Sequence, residues 1–85
     1  MTKFSTEKHL IAREQLGEFI RDRRIEMGRS VYETASFIGI SMNTLERIEQ
    51  GKFNFDIMLL FKVCEALEIK PYFVPLEHSN DFEDD

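Results

Sequence analysis

Two glycines limit what this chain can fold into more than any other residues do. In "TASFIGISMNTLERIEQG", Thr34 to Gly51, apolar residues recur at helical spacing, yet Gly39 interrupts the run and Gly51 closes it. A glycine inside a helix costs about 1 kcal/mol relative to alanine, so the pattern predicts two short helices with a corner between them, Val31 to Ile38 and Met42 to Gln50. Their ends carry matching signals. Ser30 and Glu33 stand at the Ser-x-x-Glu spacing of a capping box. Ser41 is placed to cap the second helix, and Gly51 to end it in the left-handed conformation that glycine tolerates best. Ala35 is small where the two helices must approach, Gly39 is free to take a positive φ, and Ile40, Leu45 and Ile48 form an apolar underside.

The flanking sequence is helical too. Leu16, Phe19, Ile20 and Met27 recur at helical spacing before Gly28, which predicts a first helix, preceded by a helical turn around Leu10 and Ile11. Asp56 is placed to cap a fourth helix, whose Ile57, Leu60, Phe61, Cys64 and Leu67 make one apolar stripe; Pro71 excludes its continuation. Beyond it, "YFVPL" is β-prone and flanked by prolines, and reads as a short extended segment or edge strand. Most of the eight phenylalanines fall at core spacing and read as core, not as platforms for stacking bases. The expected fold class is all-α, with four to five short helices and an optional short C-terminal β-strand.

At 85 residues the chain is one small domain, short enough that a second copy is a natural way to complete it. A single cysteine permits no internal disulfide. The start "MTKFSTEKHL" lacks the apolar stretch of a secretory signal, so a reducing, cytoplasmic setting is expected. The longest strictly apolar run, Ile57 to Phe61, is far below the roughly 20 residues that span a bilayer, so a soluble protein without a membrane partner is expected. The net charge of -5 argues at first against nucleic acid. Five of the sixteen acids, however, are Glu77, Asp81, Glu83, Asp84 and Asp85, and removing them leaves eleven acids against eleven bases in residues 1–76. The division is therefore a folded domain over 1–76 and an acidic tail over 77–85, too polar to pack and expected to be disordered.

Two helices of about eight residues joined by a tight glycine turn have the form of a helix-turn-helix, here about residues 31–50. In that motif the second helix is presented to the major groove at a large angle to the first. The same corner also serves purely structural hairpins, so geometry alone leaves DNA binding open.

Across Leu16 to Ile69 the chain resembles the lambda-repressor-like, or Xre, family of helix-turn-helix regulators. The resemblance rests on Arg24, Gly28, Ser30, Glu33, Ala35, "IGIS" at Ile38 to Ser41, Thr44, "RIEQGK" at Arg47 to Lys52 and "ALEI" at Ala66 to Ile69. It implies a structural ion pair between Arg24 and Glu49. It also implies that Ser41, Met42, Asn43 and Arg47 read bases. Their chemistry agrees in part: Arg47 offers a fork to guanine, Asn43 a pair of bonds to adenine, and Met42 a surface for the thymine methyl. Solvation or pairing with Glu46 is the plainer role for Arg47, and support of the helix start for Asn43. Glu46 can accept from cytosine, but a carboxylate near phosphates is repelled, and a solvated role fits it better.

Phosphate contacts are expected at the start of the second helix, from Ser30 and the backbone of Val31. Arg29, Lys52 and Asn54 flank that face, and are equally well described as solvated loop residues. Two residues depart from the family pattern. Val31 stands where glutamine is common and removes a donor to phosphate, and Thr34 stands where leucine is usual and weakens a core contact.

The resemblance implies a regulator, expected to be a repressor, that binds double-stranded DNA as a homodimer. Its two reading helices would lie about one turn apart, roughly 34 Å, on a palindromic operator. Tyr72, Phe73, Val74 and Leu76 are the candidate dimer interface, either pairing as an intermolecular strand or packing back on the fourth helix. Antitoxin-type members of the family have a similar strand after the fourth helix, which makes a toxin-like protein partner an alternative. A protein-interaction module that has lost DNA binding is another. No enzyme, metal or cofactor is expected: His9 and His78 are separated by the whole domain, and no Cys or carboxylate cluster has the spacing of a metal or acid–base site.

Overall fold

The structure is a computed structural model that describes residues 6–72 and 75, with side chains from residue 12 onward. Phe73, Val74, Leu76 and the acidic tail 77–85 lie outside the described residues. Four helices follow one another: α1 (Thr6–Glu26), α2 (Val31–Ile38), α3 (Met42–Glu49) and α4 (Ile57–Ala66). The fold is all-α as the sequence predicts, and no strand occurs among the described residues. The turn expected around Leu10 and Ile11 is not a separate element, because α1 runs through it for 21 residues. Among the described residues no helix is long and apolar enough to cross a membrane.

The helix starts follow their side-chain chemistry. Ser30, Ser41 and Asp56 each accept from the backbone N–H three residues on, at 3.0, 3.0 and 2.9 Å. Glu33 completes the capping box by accepting from the Ser30 N–H at 3.0 Å. The helix ends share one device. Arg29, Ile40, Lys52 and Ile69 each donate back to the carbonyl five residues earlier, at 3.0, 3.0, 2.8 and 2.8 Å. The residue before each donor turns left-handed: Gly28, Gly39 and Gly51 at φ 70, 90 and 75°, and Glu68 at φ 55°. Glycine takes that conformation without a Cβ penalty; Glu68 does not.

The core lies where the four helices meet. Ile20, Ile38, Ile48, Val63, Ala66 and Leu67 form its centre, and Leu16, Met27, Ile40, Phe53, Phe55, Leu59 and Ile69 pack around it half-buried. Burying one such aliphatic side chain contributes about 1.5–3 kcal/mol. Thr34 is fully buried, and its hydroxyl donates to the Ser30 carbonyl at 2.9 Å, so a polar group sits among apolar ones without being orphaned.

Two sequence expectations about the core are corrected. No described phenylalanine is fully buried: Phe53 and Phe55 stack half-buried in the α3–α4 loop, and Phe19, Phe37 and Phe61 are exposed. On α4 the buried residues are Val63, Cys64 and Ala66, followed by Leu67, whereas Ile57 and Phe61 of the expected stripe face outward. The cause is that "IMLLFKVCEA" is apolar on most sides, so periodicity does not choose the inward face. Packing against α2 does.

α1 crosses the end of α3 closely. A Cβ on Gly17 would stand 2.7 Å from the Glu49 carbonyl oxygen and closer still to that of Ile48, and one on Gly51 would stand 2.7 Å from Glu14 Cα. Neither position has room for a side chain.

Candidate nucleic-acid interface

The site is built around the two faces of α3. Leu45, Ile48 and Glu49 turn inward, and Met42, Asn43, Glu46 and Arg47 stand exposed on the other side. The αL turn at Gly39 sets the angle between α2 and α3, and the N–H groups of Gly39 and Ile40 both return to the Ala35 carbonyl, at 2.8 and 3.0 Å. The corner is thus tied to α2 by its own backbone.

From beneath, α3 is held by charge. Arg24 donates through Nε to Glu49 Oε2 at 2.7 Å and through Nη2 to Oε1 at 3.1 Å, while Nη1 donates to the Arg29 carbonyl at 2.9 Å. The two side chains are only 12% and 6% exposed. The hydrogen bond to Glu49 raises the Arg24 pKa above the ordinary arginine value against the opposing effect of burial, and the charges of Glu49 and Glu46 add to the rise. Because each of the three guanidinium nitrogens of Arg24 meets an acceptor, burial of this pair is tolerable.

The candidate base readers share the exposed face with different degrees of freedom. Met42 and Asn43 are exposed on the first turn of α3, where a recognition helix meets base edges. The Ser41 hydroxyl is occupied: it accepts from the Thr44 N–H and donates to Thr44 Oγ1 at 2.9 Å. Ser41 therefore starts the helix and has little left for a base. Arg47 is exposed, and its Nη2 donates to the Lys52 carbonyl at 3.0 Å, which folds the side chain along the end of α3.

The candidate phosphate contacts fall into two groups. Ser30 and Glu33 satisfy each other's backbone in the capping box, which leaves the N–H groups of Val31 and Tyr32 outside the helix's own ladder. Next to Val31 is a hollow of about 240 Å³ lined by Arg21, Arg24, Val31, Glu46, Glu49 and Gln50. Its two cations are matched by two carboxylates, so its lining side chains carry no net positive charge. Lys52 and Asn54 lie exposed in the α3–α4 loop. Arg29 is engaged within the fold: Nη1 donates to the Ala66 carbonyl at 2.6 Å and Nη2 lies 3.9 Å from Glu68. It joins Arg23, whose Nε donates to the Leu67 carbonyl at 2.9 Å, in neutralising the negative end of α4.

Tyr72, first of the candidate interface residues, is exposed. Cys64 is buried, and that burial pushes its thiol pKa up, the reverse of what a reactive thiol needs. Arg13 and Gly17 are absent from the sequence reading. An isolated glycine inside a helical pattern signals a close approach, which makes Gly17 detectable in principle. Arg13, one turn earlier, carries no local signal.

Comparison with known proteins agrees with this geometry. A family model described as helix-turn-helix matches residues 20–74, more than half of the chain. The transcriptional regulator ClgR of Mycobacterium tuberculosis is 30% identical over 59 residues, 69% of this chain and 53% of that protein. The chain thus spans about half the length of the curated relatives it matches. The clp gene regulator ClgR from C. glutamicum superposes with a TM-score of 0.66 at 33% identity, over 67% of this chain and 73% of that one. The restriction-modification controller protein C.AhdI from Aeromonas hydrophila superposes with a TM-score of 0.68 at 23% identity, over 71% of this chain and 91% of that one, which is a likeness of fold alone. With the corner at Gly39 and the outward face of α3, the matched segment shows that the chain belongs to the lambda-repressor-like (Xre) branch of the helix-turn-helix family.

Proposed function

We propose that this protein is a transcriptional regulator that binds double-stranded DNA as a homodimer, with α3 of each copy in the major groove of a palindromic operator. The observation that carries the reading is the division of α3: a buried side locked by Arg24 and Glu49, and an outer side on which Met42, Asn43 and Arg47 stand exposed. The relatives named as transcriptional and gene regulators support it. Arg47 and Asn43 supply the hydrogen bonds to bases and Met42 an apolar contact. The backbone at Val31, with Lys52 and Asn54, meets phosphates. Occupying the operator keeps other proteins from the same groove, which makes repression the direct outcome, and the fitting setting is cytoplasmic. One copy makes only about four to six phosphate contacts and binds weakly at physiological salt. Two copies are needed, and the segment of Tyr72, Phe73, Val74 and Leu76 is the proposed contact between them.

The test is selection of duplexes from a random pool by the purified protein at near-physiological salt. The expected result is an enriched palindrome that a folded Asn43→Ala, Arg47→Ala double variant does not enrich. A folded wild type that enriches nothing would overturn the reading. Exposed Ile57, Met58 and Phe61 on α4 favour a second reading in that event: a protein-interaction module that has kept the helical fold but lost DNA binding.

A further inference from the structure

The first half of α1 precedes the segment that the family model matches, yet it packs against the far end of the proposed reading helix. Gly17 meets the carbonyls of Ile48 and Glu49, and Glu14 backs onto Gly51. One turn before Gly17, Arg13 reaches the α3–α4 loop and donates from Nη1 to Asn54 Oδ1 at 2.8 Å. Lys52 stands two residues before Asn54, and Arg47 lies on its carbonyl at 3.0 Å. Three cations thus gather at the C-terminal end of α3. The acids beside them are Glu14, turned onto Gly51, and Asp56, whose carboxylate is used in capping α4. In the last turn of α3, Glu49 is paired with Arg24, and Glu46 lines the hollow beside Val31.

Arg13 is fixed but not satisfied. Its Nε is buried and turned away from any ligand, but of the four N–H groups on Nη1 and Nη2 Asn54 takes one, which leaves the outer edge of the guanidinium open to an anion. We infer that Arg13 binds a DNA phosphate beside the C-terminal end of α3, with Lys52 and the amide of Asn54 completing the cradle. The inference rests on α3 being the reading helix. A guanidinium fork matches two phosphate oxygens, and its fixation by Asn54 reduces the ordering that binding requires. Such a contact adds affinity at every sequence alike, because it touches no base.

The test compares wild type, R13Q and R13K on a selected duplex and a scrambled one, between about 50 and 200 mM salt. R13Q is expected to weaken binding to both duplexes by the same factor. It should also lower the slope of log affinity against log salt by about one per bound protomer. R13K keeps the charge without the fork, so its slope stays near that of wild type while its affinity falls. An R13Q slope equal to wild type overturns the inference. So does an equal fall in R13K and R13Q, which would make Arg13 a support for Asn54 alone. Neutral methylphosphonates, placed one at a time in the half-site, repeat the test with no change beyond the fold-preserving R13K. One position should cost wild type more than R13K, and equal costs at every position would overturn the inference. A wild type that selects no duplex overturns the parent reading as well, whereas selection with an unchanged R13Q slope overturns only this one.

Discussion

Arg24 and Glu49 are the residues on which the placement of α3 depends most. Their bidentate contact is almost dry, so removing one partner strands a charge that has already lost its water. Arg24→Met or Glu49→Gln alone should cost roughly 3–5 kcal/mol, and a domain of this size loses about 4–8 °C of Tm per kcal/mol. Thermal unfolding of both single variants and of the Arg24→Met, Glu49→Gln double variant checks this. The double should lose clearly less than the two singles together; additive losses would mean that the charges are not coupled. The pH dependence has a definite sign. Since the Arg24 pKa is raised in the folded state, its contribution is fully present below the unfolded arginine value and disappears only as pH climbs through the raised one. No loss from this group is expected near neutrality. The family resemblance implied this pair from two matched positions. It gave no such guidance for Arg13, Arg23 or Arg29, whose partners are 41, 44 and 37 residues away in the chain.

At the scale of elements, one stop rule serves four helices. Three obey it with glycine, and α4 obeys it with Glu68 at φ 55°. Glu68→Gly should relieve that strain and stabilise the protein by a few tenths to about 1 kcal/mol, net of the extra freedom that glycine gives the unfolded chain. Denaturant melting would show the gain as a higher midpoint at unchanged slope. A lower midpoint would mean that the exposed Glu68 carboxylate, 3.9 Å from Arg29, matters more than the backbone. The crossing of α1 and α3 shows the opposite use of glycine. Gly17 lies inside a helix, where its backbone freedom is a cost, and it is kept there by the contact with the carbonyls ending α3. That contact lets a helix begun outside the matched family segment brace α3.

For the whole molecule, charge and size bear on how it can hold DNA. A body with eleven acids against eleven bases in residues 1–76 has little general attraction for a polyanion, so in the proposed function its affinity comes from a few placed contacts, doubled in the proposed homodimer. The mass of the complex on a selected palindrome should correspond to two chains per duplex. One chain per duplex would remove the dimer from the proposed function while leaving α3 as reader. The sequence by itself determined where the central helices start and stop and that a corner separates α2 from α3. Those features are decided by hydrogen bonds between groups no more than five residues apart: Ser30 with Glu33, Ser41 with Thr44, Ile40 with Ala35. Only the tertiary structure decided which side of the nearly all-apolar α4 turns inward, that three arginines close loops instead of facing solvent, and that Arg13 stands at the end of α3. These depend on surfaces brought together from distant parts of the chain, where several faces are nearly equal in hydrophobicity and the choice falls to the packing of the other helices.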